Sequence, residues 1–134
     1  KVFLITNKGN NMKLLLIGIV AISIIYFFTS QSSQGTPSIS SASAQSLLDD
    51  EDYIFLDVRT LAEHENLSIP NTSVIPIEDL ANRVDELEKY KDKKIILYCR
   101  SGNRSGTGTM MLRELGYDAI NLTGGMNQWS GITE

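Results

Sequence analysis

The segment Ile95-Ile96-Leu97-Tyr98-Cys99-Arg100-Ser101-Gly102-Asn103-Arg104-Ser105 joins an apolar run to a short polar loop with two arginines. An apolar run this short, bounded by a polar loop, predicts a strand that is buried on both faces of a parallel sheet. Residues 105–115 are predicted to form the helix that follows, with Gly116 as its stop. Cys99, the only cysteine of the 134 residues, therefore follows the carboxyl end of a strand. Binding sites of open α/β sheets lie at such ends.

Strand and helix patterns alternate on either side of this segment, which predicts an α/β domain over residues 39–134. Its sheet is expected to be small and parallel, with helices on both faces. The other predicted strands are at 53–58, 74–75 and 119–122. The other predicted helices are a short one from Ser40 or Ser41 to Leu48 and those at 61–65 and 78–90, with a last helical turn around Trp129.

The surroundings of Cys99 favour the reactive thiolate form of its side chain. A helix N-terminus, nearby guanidinium groups and converging backbone N–H groups each lower the pKa of a thiol. Gly102 permits the tight turn that such a loop requires.

Several roles within the loop stay open at this level. Arg100 and Arg104 either bind an anion or form structural ion pairs, and Arg104 is the better candidate for bracing the loop. Ser101 and Ser105 either donate hydrogen bonds into the loop or cap the helix, and capping is the more common role of serine there. Gly106 and Gly108 are expected to permit close packing of that helix.

Four motifs occur in the order and at the spacings of one family. They are Cys99-Arg100-Ser101-Gly102-Asn103-Arg104-Ser105 after an apolar strand, Leu56-Asp57-Val58-Arg59, Ile69-Pro70-Asn71-Thr72-Ser73-Val74-Ile75-Pro76, and Gly124-Gly125-Met126-Asn127-Gln128-Trp129. Together they resemble the single-domain rhodaneses, and more specifically the exported, periplasmic type of these sulfurtransferases.

The resemblance implies an enzyme that moves a sulfane sulfur from thiosulfate, or a similar small anionic donor, to a thiophilic acceptor such as cyanide or a thiol. Cys99 would carry the sulfur as a persulfide. The donor would be bound by the loop residues Arg100, Ser101, Gly102, Asn103, Arg104 and Ser105. No cofactor and no metal are expected. The chain departs from the family at Leu67-Ser68 and Asn71-Thr72, which affects the expected shape of the pocket.

Three alternatives remain beside this interpretation. The same loop would serve a persulfide carrier that passes sulfur to a protein partner. A cysteine-based phosphatase or arsenate reductase requires an arginine six residues after the cysteine, whereas Ser105 stands there and Arg104 is one residue short. A non-catalytic module of the same fold typically lacks the cysteine that is present here.

Net charge and histidine content exclude other classes of function. The formal net charge is −4, and residues 39–134 have 9 basic and 16 acidic residues. This acidity argues against nucleic-acid binding and against adhesion of the domain surface to anionic lipid. One cysteine and one histidine do not provide the ligand set of a zinc site.

An apolar run of 15 residues without a charge, 14–28, precedes the domain and lies between the typical lengths of a signal-peptide apolar region and of a membrane-spanning helix. We interpret residues 12–28 as one of these two, residues 1–11 as an upstream extension, and residues 29–38 as a flexible linker. The domain is thus expected to be exported to the periplasm or another extracytoplasmic space. Contact with the membrane would be through the N-terminal segment only.

Four further residues are expected to have structural roles. Asp57 and Arg59 follow a buried strand, and Arg59 is placed to pair with Glu63 four residues on. His64 is expected at the surface, because no aspartate or serine partner is nearby in the sequence. Trp129 is expected to pack against the sheet near the site, the alternative being a place in the donor pocket.

Overall fold

The computed structural model describes residues 8–30 and 35–134, with side chains at 12–26 and 35–134. The chain divides into two units, Lys1–Gly35 and Thr36–Glu134. Helix α1 (Lys8–Ser30) belongs to the first unit and extends beyond both ends of the predicted apolar segment. No helix in the described ranges has the length and apolarity that crossing a membrane requires, so the predicted transmembrane anchor is not confirmed. Residues 1–7 and 31–34, in the predicted extension and linker, lie outside the described residues.

The second unit is built on a sheet of five strands that are all parallel to one another. The strands are β1 (Ser38–Ile39), β2 (Tyr53–Asp57), β3 (Ser73–Val74), β4 (Lys94–Tyr98) and β5 (Asp118–Leu122), in the spatial order β1-β5-β4-β2-β3. β4 is the central strand, and Cys99 is the residue immediately after it. The predicted α/β class and the parallel sheet are confirmed.

The two faces of the sheet form separate apolar cores, because successive side chains of a strand point to opposite faces. Ile95, Leu97 and Cys99 of the central strand segment belong to the core on one face, and Ile96 and Tyr98 belong to the core on the other. All five are fully buried. Burial of each large apolar side chain stabilises the fold by about 1.5–3 kcal/mol, which explains why this segment is apolar at every position.

Helices cover both faces, as predicted. They are α2 (Ser41–Gln45), α3 (Leu61–Asn66), α4 (Ile77–Leu80), a 3-10 helix (Val84–Tyr90), α5 (Asn103–Glu114) and α6 (Gly125–Gln128). Leu80 and Leu112 pack on the first core, whereas Ala44 and Met126 pack on the second.

The single helix predicted over 78–90 is wrong. α4 ends at Leu80, and the chain resumes as a 3-10 helix at Val84. A 3-10 helix has three residues per turn, so Val84, Leu87 and Tyr90 lie above one another on the side that faces the first core. The same apolar residues are thus buried by a tighter helix than their spacing predicted.

The two glycines of α5 have different surroundings. A Cβ added to Gly108 would lie 2.9 Å from Leu97 Cδ2 and 3.2 Å from Ile77 Cδ1, which confirms the predicted close packing. A Cβ added to Gly106 would lie 3.5 Å from Asn121 Nδ2, an ordinary contact. The prediction of a packing requirement at Gly106 is therefore wrong.

Gly125 brings the start of α6 into direct contact with the residues that follow β4. Its φ is +51°, and an added Cβ would overlap the carbonyl oxygen of Cys99 and lie 2.9 Å from the carbonyl carbon of Arg100. The next two N–H groups, of Met126 and Asn127, donate to the carbonyls of Cys99 and Arg100 at 2.9 Å each. This glycine therefore permits α6 to hold the backbone around Cys99.

We predict that Gly125→Ala lowers the free energy of unfolding by about 2–5 kcal/mol, because a positive φ and an overlap with backbone atoms add together. Gly116→Ala is the matched control: Gly116 also has a positive φ, +84°, but an added Cβ meets nothing within 4 Å. Its expected loss is only about 1–2 kcal/mol. Urea unfolding of both variants measures the difference, and equal losses would show that the contact with Cys99 and Arg100 is unimportant.

Candidate active site

Cys99 lies at the carboxyl end of the central strand, and its residue is fully buried. Gly102, at a φ of +96°, turns the chain and stands in the N-cap position of α5, so the helix begins at Asn103 rather than at the predicted Ser105. The N-terminus of a helix carries a partial positive charge. The thiol is therefore placed where a negative charge is favoured, as predicted.

Hydrogen bonds converge on the sulfur of Cys99. The backbone N–H of Gly102 lies 3.1 Å from Sγ, and the hydroxyl of Ser105 donates to Sγ at 3.3 Å. Burial acts to raise the pKa of the Cys99 thiol, but hydrogen bonds from the Ser105 hydroxyl and from the backbone N–H groups of Ser105, Gly102 and Ser101 outweigh burial and lower that pKa. The structure thus supplies donors that stabilise a thiolate within a buried site.

The two serines of the loop do not cap α5. No side chain forms a cap hydrogen bond at Gly102, so the preferred prediction of a serine cap is wrong. Ser105 is fully buried in the first turn of α5, and its hydroxyl faces Cys99 instead. Ser101 is exposed, and its backbone N–H is the group that acts on the thiol.

Arg104 forms a bidentate ion pair with Glu63 of α3. The two guanidinium nitrogens lie 2.9 Å and 2.8 Å from the two carboxylate oxygens. This ion pair, together with hydrogen bonds from Thr60, lowers the pKa of Glu63 to about 2. Glu63 also closes a capping box with Thr60 at the start of α3. This ion pair corresponds to the predicted role of Arg104 in bracing the loop. Binding of an anion by Arg104 stays a prediction.

Arg100 is exposed at the start of the loop. Within residues 35–134, its guanidinium has neither a hydrogen-bond partner nor an ion-pair partner. It lines an open pocket of about 320 Å³ together with Leu67, Met126 and Asn127. Arg59 and Glu63 also line this pocket, but both have partners of opposite charge. Arg100 is thus the cation of the pocket that is available to a ligand. Asn103 is also exposed, and its role in binding stays a prediction.

Buried Asp57 and Arg59 form a cluster with half-buried His64 beside this pocket. Two nitrogens of Arg59 contact the carboxylate of Asp57, the closest at 2.6 Å, and His64 Nδ1 lies 2.9 Å from the same carboxylate. The predicted pairing of Arg59 with Glu63 is therefore wrong, as is the prediction that His64 is a surface residue without a partner. The sequence signal for the partner of His64 was its spacing of seven residues from Asp57. The turn before α3 brings these two side chains into contact.

The two departures from the family pattern lie at different pockets, because Leu67 lines the pocket beside Arg100 whereas Asn71 lines another. The Leu67 carbonyl accepts a hydrogen bond from Arg59 at 2.8 Å. Asn71 stands where the family usually has glycine, and its φ is +58°. Asparagine adopts such a conformation more readily than most residues, so Asn71 is compatible with this turn.

Trp129 packs at the edge of the second core. Its ring meets Phe55 edge-to-face at 6.3 Å, and its indole N–H donates to the carbonyl of Ile132. It does not line the pocket beside Arg100. The prediction that Trp129 packs against the sheet is confirmed.

We predict that Ser105→Ala raises the pKa of Cys99 by about one to two units, since a hydrogen bond to a charged group contributes about 1.5–3 kcal/mol. Ser101→Ala should leave that pKa unchanged, because Ser101 acts through its backbone. The rate of alkylation by iodoacetamide as a function of pH measures both values. Equal pKa values in the two variants would contradict a role for the Ser105 hydroxyl.

Comparison with known proteins extends these observations. A sulfurtransferase from Allochromatium vinosum is 36% identical over 88 residues, which are 65% of this chain and 80% of that protein. YrkF from Bacillus subtilis, provisionally named a sulfur carrier protein, is 33% identical over 79% of this chain and 57% of its own length. A thiosulfate sulfurtransferase from Pseudomonas aeruginosa has a TM-score of 0.67 at 30% identity, and the match covers 74% of this chain and only 20% of that one.

A smaller relative is matched over nearly its whole length. The crystal structure of a rhodanese-related protein from Thermoplasma volcanium gives a TM-score of 0.67 at 32% identity, covering 73% of this chain and 97% of that chain. The family model of the rhodanese-like domain matches residues 40–132. These residues include strands β2 to β5 and the loop around Cys99. The chain therefore belongs to the rhodanese-like domain family.

Proposed function

We propose that this protein is a sulfurtransferase that moves a sulfane sulfur from thiosulfate, or from a similar small anionic donor, to a thiophilic acceptor through a persulfide on Cys99. The observation that carries the proposal is the set of hydrogen bonds on a buried sulfur at the start of α5. The relatives named sulfurtransferases support the same class of reaction.

The proposed reaction has two displacements at sulfur. The Cys99 thiolate attacks the outer sulfur of thiosulfate, the S–S bond of the donor breaks, and sulfite leaves with the bonding electron pair. The acceptor then attacks the outer sulfur of the persulfide, and the Cys99 thiolate leaves with its electron pair. Neither step needs a redox partner, and cyanide as the acceptor gives thiocyanate.

A lone cysteine suffices for this chemistry if its thiolate is populated. The groups that lower the pKa of Cys99 also stabilise the thiolate as the leaving group of the second step. His64, the only histidine of the chain, is held by Asp57 through Nδ1. We therefore assign no general base, and the proposed mechanism uses no cofactor.

The anionic donor is proposed to bind at Arg100. A charge-assisted hydrogen bond from a guanidinium suits a thiosulfate oxygen, and Arg100 is the pocket cation without a partner in residues 35–134. Arg104 has its charge matched by Glu63 and supports the loop instead.

A persulfide carrier is the second candidate function, favoured by the similarity to YrkF. In that case the acceptor would be a thiol of a protein, and small acceptors would be poor substrates. The phosphatase alternative is not favoured. Arg104 stands five residues after Cys99, one fewer than a phosphatase loop requires. Both terminal nitrogens of its guanidinium donate to Glu63. Export of the domain stays a prediction, with residues 12–28 as a signal peptide or a membrane anchor.

We predict that incubation with thiosulfate makes the protein one sulfur atom heavier, and that cyanide removes this atom as thiocyanate. Intact-mass spectrometry before and after cyanide measures both steps. Cys99→Ser should gain no sulfur and have no turnover above background. If the Cys99→Ser variant retained turnover, a persulfide on Cys99 would be excluded.

We also predict that Arg100→Gln raises the KM for thiosulfate by about tenfold or more with little change in kcat, because a charge-assisted contact to the bound donor is lost. Arg113→Gln is the matched control for the change in net charge, since Arg113 is an exposed arginine that pairs with Asp118 outside the pocket. Steady-state kinetics of both variants give the two constants. An equal KM in the two variants would mean that Arg100 does not bind the donor.

A further inference from the structure

Asn121 is a polar residue at a position of β5 that faces a core. Side chains alternate along β5: Ala119 belongs to the first core, whereas Ile120 and Leu122 pack on the second. Asn121 therefore points to the same face as Ala119, the face that α5 covers. Its neighbour in β4 is Leu97, two residues before Cys99. An apolar residue would be the ordinary choice at this position.

The carboxamide of Asn121 has one partner and one buried atom without a partner. Nδ2 donates to the carbonyl oxygen of Gly102 at 3.1 Å. Oδ1 is buried and accepts no hydrogen bond from the residues that the structure describes. An unpaired buried acceptor destabilises a fold, so the fold retains this side chain at a cost in stability. Violations of this kind are expected mainly at functional sites.

The partner of Asn121 is the residue that turns the loop toward the sulfur. Gly102 donates its N–H to Cys99 Sγ at 3.1 Å, and its carbonyl accepts the N–H of Gly106, the first hydrogen bond of α5. Because Gly102 has no side chain, only its backbone contacts restrain its positive φ. The contact with Asn121 therefore restrains Gly102 from the side of the sheet while the helix restrains it from the other.

We propose that Asn121 is a positioning residue of the active site: by holding the Gly102 carbonyl, it aims the Gly102 N–H at the sulfur of Cys99. The consequence for sulfur transfer rests on the proposed function. The consequence for the thiolate does not, because ionisation of Cys99 is measured without any sulfur donor.

The test compares three variants by the pH dependence of Cys99 alkylation and by urea unfolding of the same samples. Asn121→Leu has nearly the same shape but cannot donate, and it removes the unpaired Oδ1. We expect it to raise the pKa of Cys99 by about one unit, equivalent to a tenfold shift in ionisation, while stability is unchanged or higher. Asn121→Ala also removes the donor, without adding bulk or charge, and should raise that pKa to a similar extent. Asn82→Leu, at an exposed asparagine after α4, is the control and should leave the pKa as it is.

The outcomes separate the possibilities. A raised pKa without lost stability in Asn121→Leu supports the positioning role, and a raised pKa in Asn121→Ala supports it again if the Leu variant does not fold. Lost stability with an unchanged pKa would overturn the proposal and leave Asn121 a purely structural residue. An unmodified protein that gains no sulfur from any donor would refute the proposed function, while the effect of Asn121 on the thiolate would still stand or fall by its own measurement.

Discussion

The hydrogen bonds that favour a thiolate on the buried sulfur of Cys99 impose the main constraint on this fold. Burial alone would keep the Cys99 thiol protonated. The opposing contribution comes mainly from backbone N–H groups and one hydroxyl, which act only over hydrogen-bond distances. The loop between β4 and α5 must therefore keep the geometry of these hydrogen bonds.

Contacts from three neighbouring parts of the structure maintain that geometry. Glu63 of α3 holds Arg104 at the start of α5. The N–H groups of Met126 and Asn127 in α6 hold the carbonyls of Cys99 and Arg100. Asn121 of β5 holds Gly102. Each of these contacts joins elements far apart in sequence, so the loop depends on the complete domain rather than on its own residues.

This dependence explains which features the sequence predicted. The strand before Cys99, the parallel sheet and the turn at Gly102 follow from local patterns, and the structure confirms them. The partner of Arg59 could not be predicted, because two carboxylates, Asp57 and Glu63, lie within four residues of it and only the tertiary arrangement selects between them. The hydroxyl of Ser105 was assigned to a cap for the same reason: its direction depends on where Cys99 lies relative to the first turn of α5. Asn121 gave no local signal, since a single polar residue in a short strand is also compatible with an exposed face.

The charge distribution has a consequence for how the proposed anionic donor would reach Arg100. Residues 39–134 have a net charge of −7, so a divalent anion is repelled at long range and attracted by Arg100 only at short range. Salt at about 0.1 M screens exposed charges beyond about 10 Å. Such screening weakens the diffuse repulsion more than it weakens the contact with the guanidinium. Moderate ionic strength therefore favours the encounter with a dianion, the reverse of the salt dependence of enzymes whose whole surface attracts their substrate.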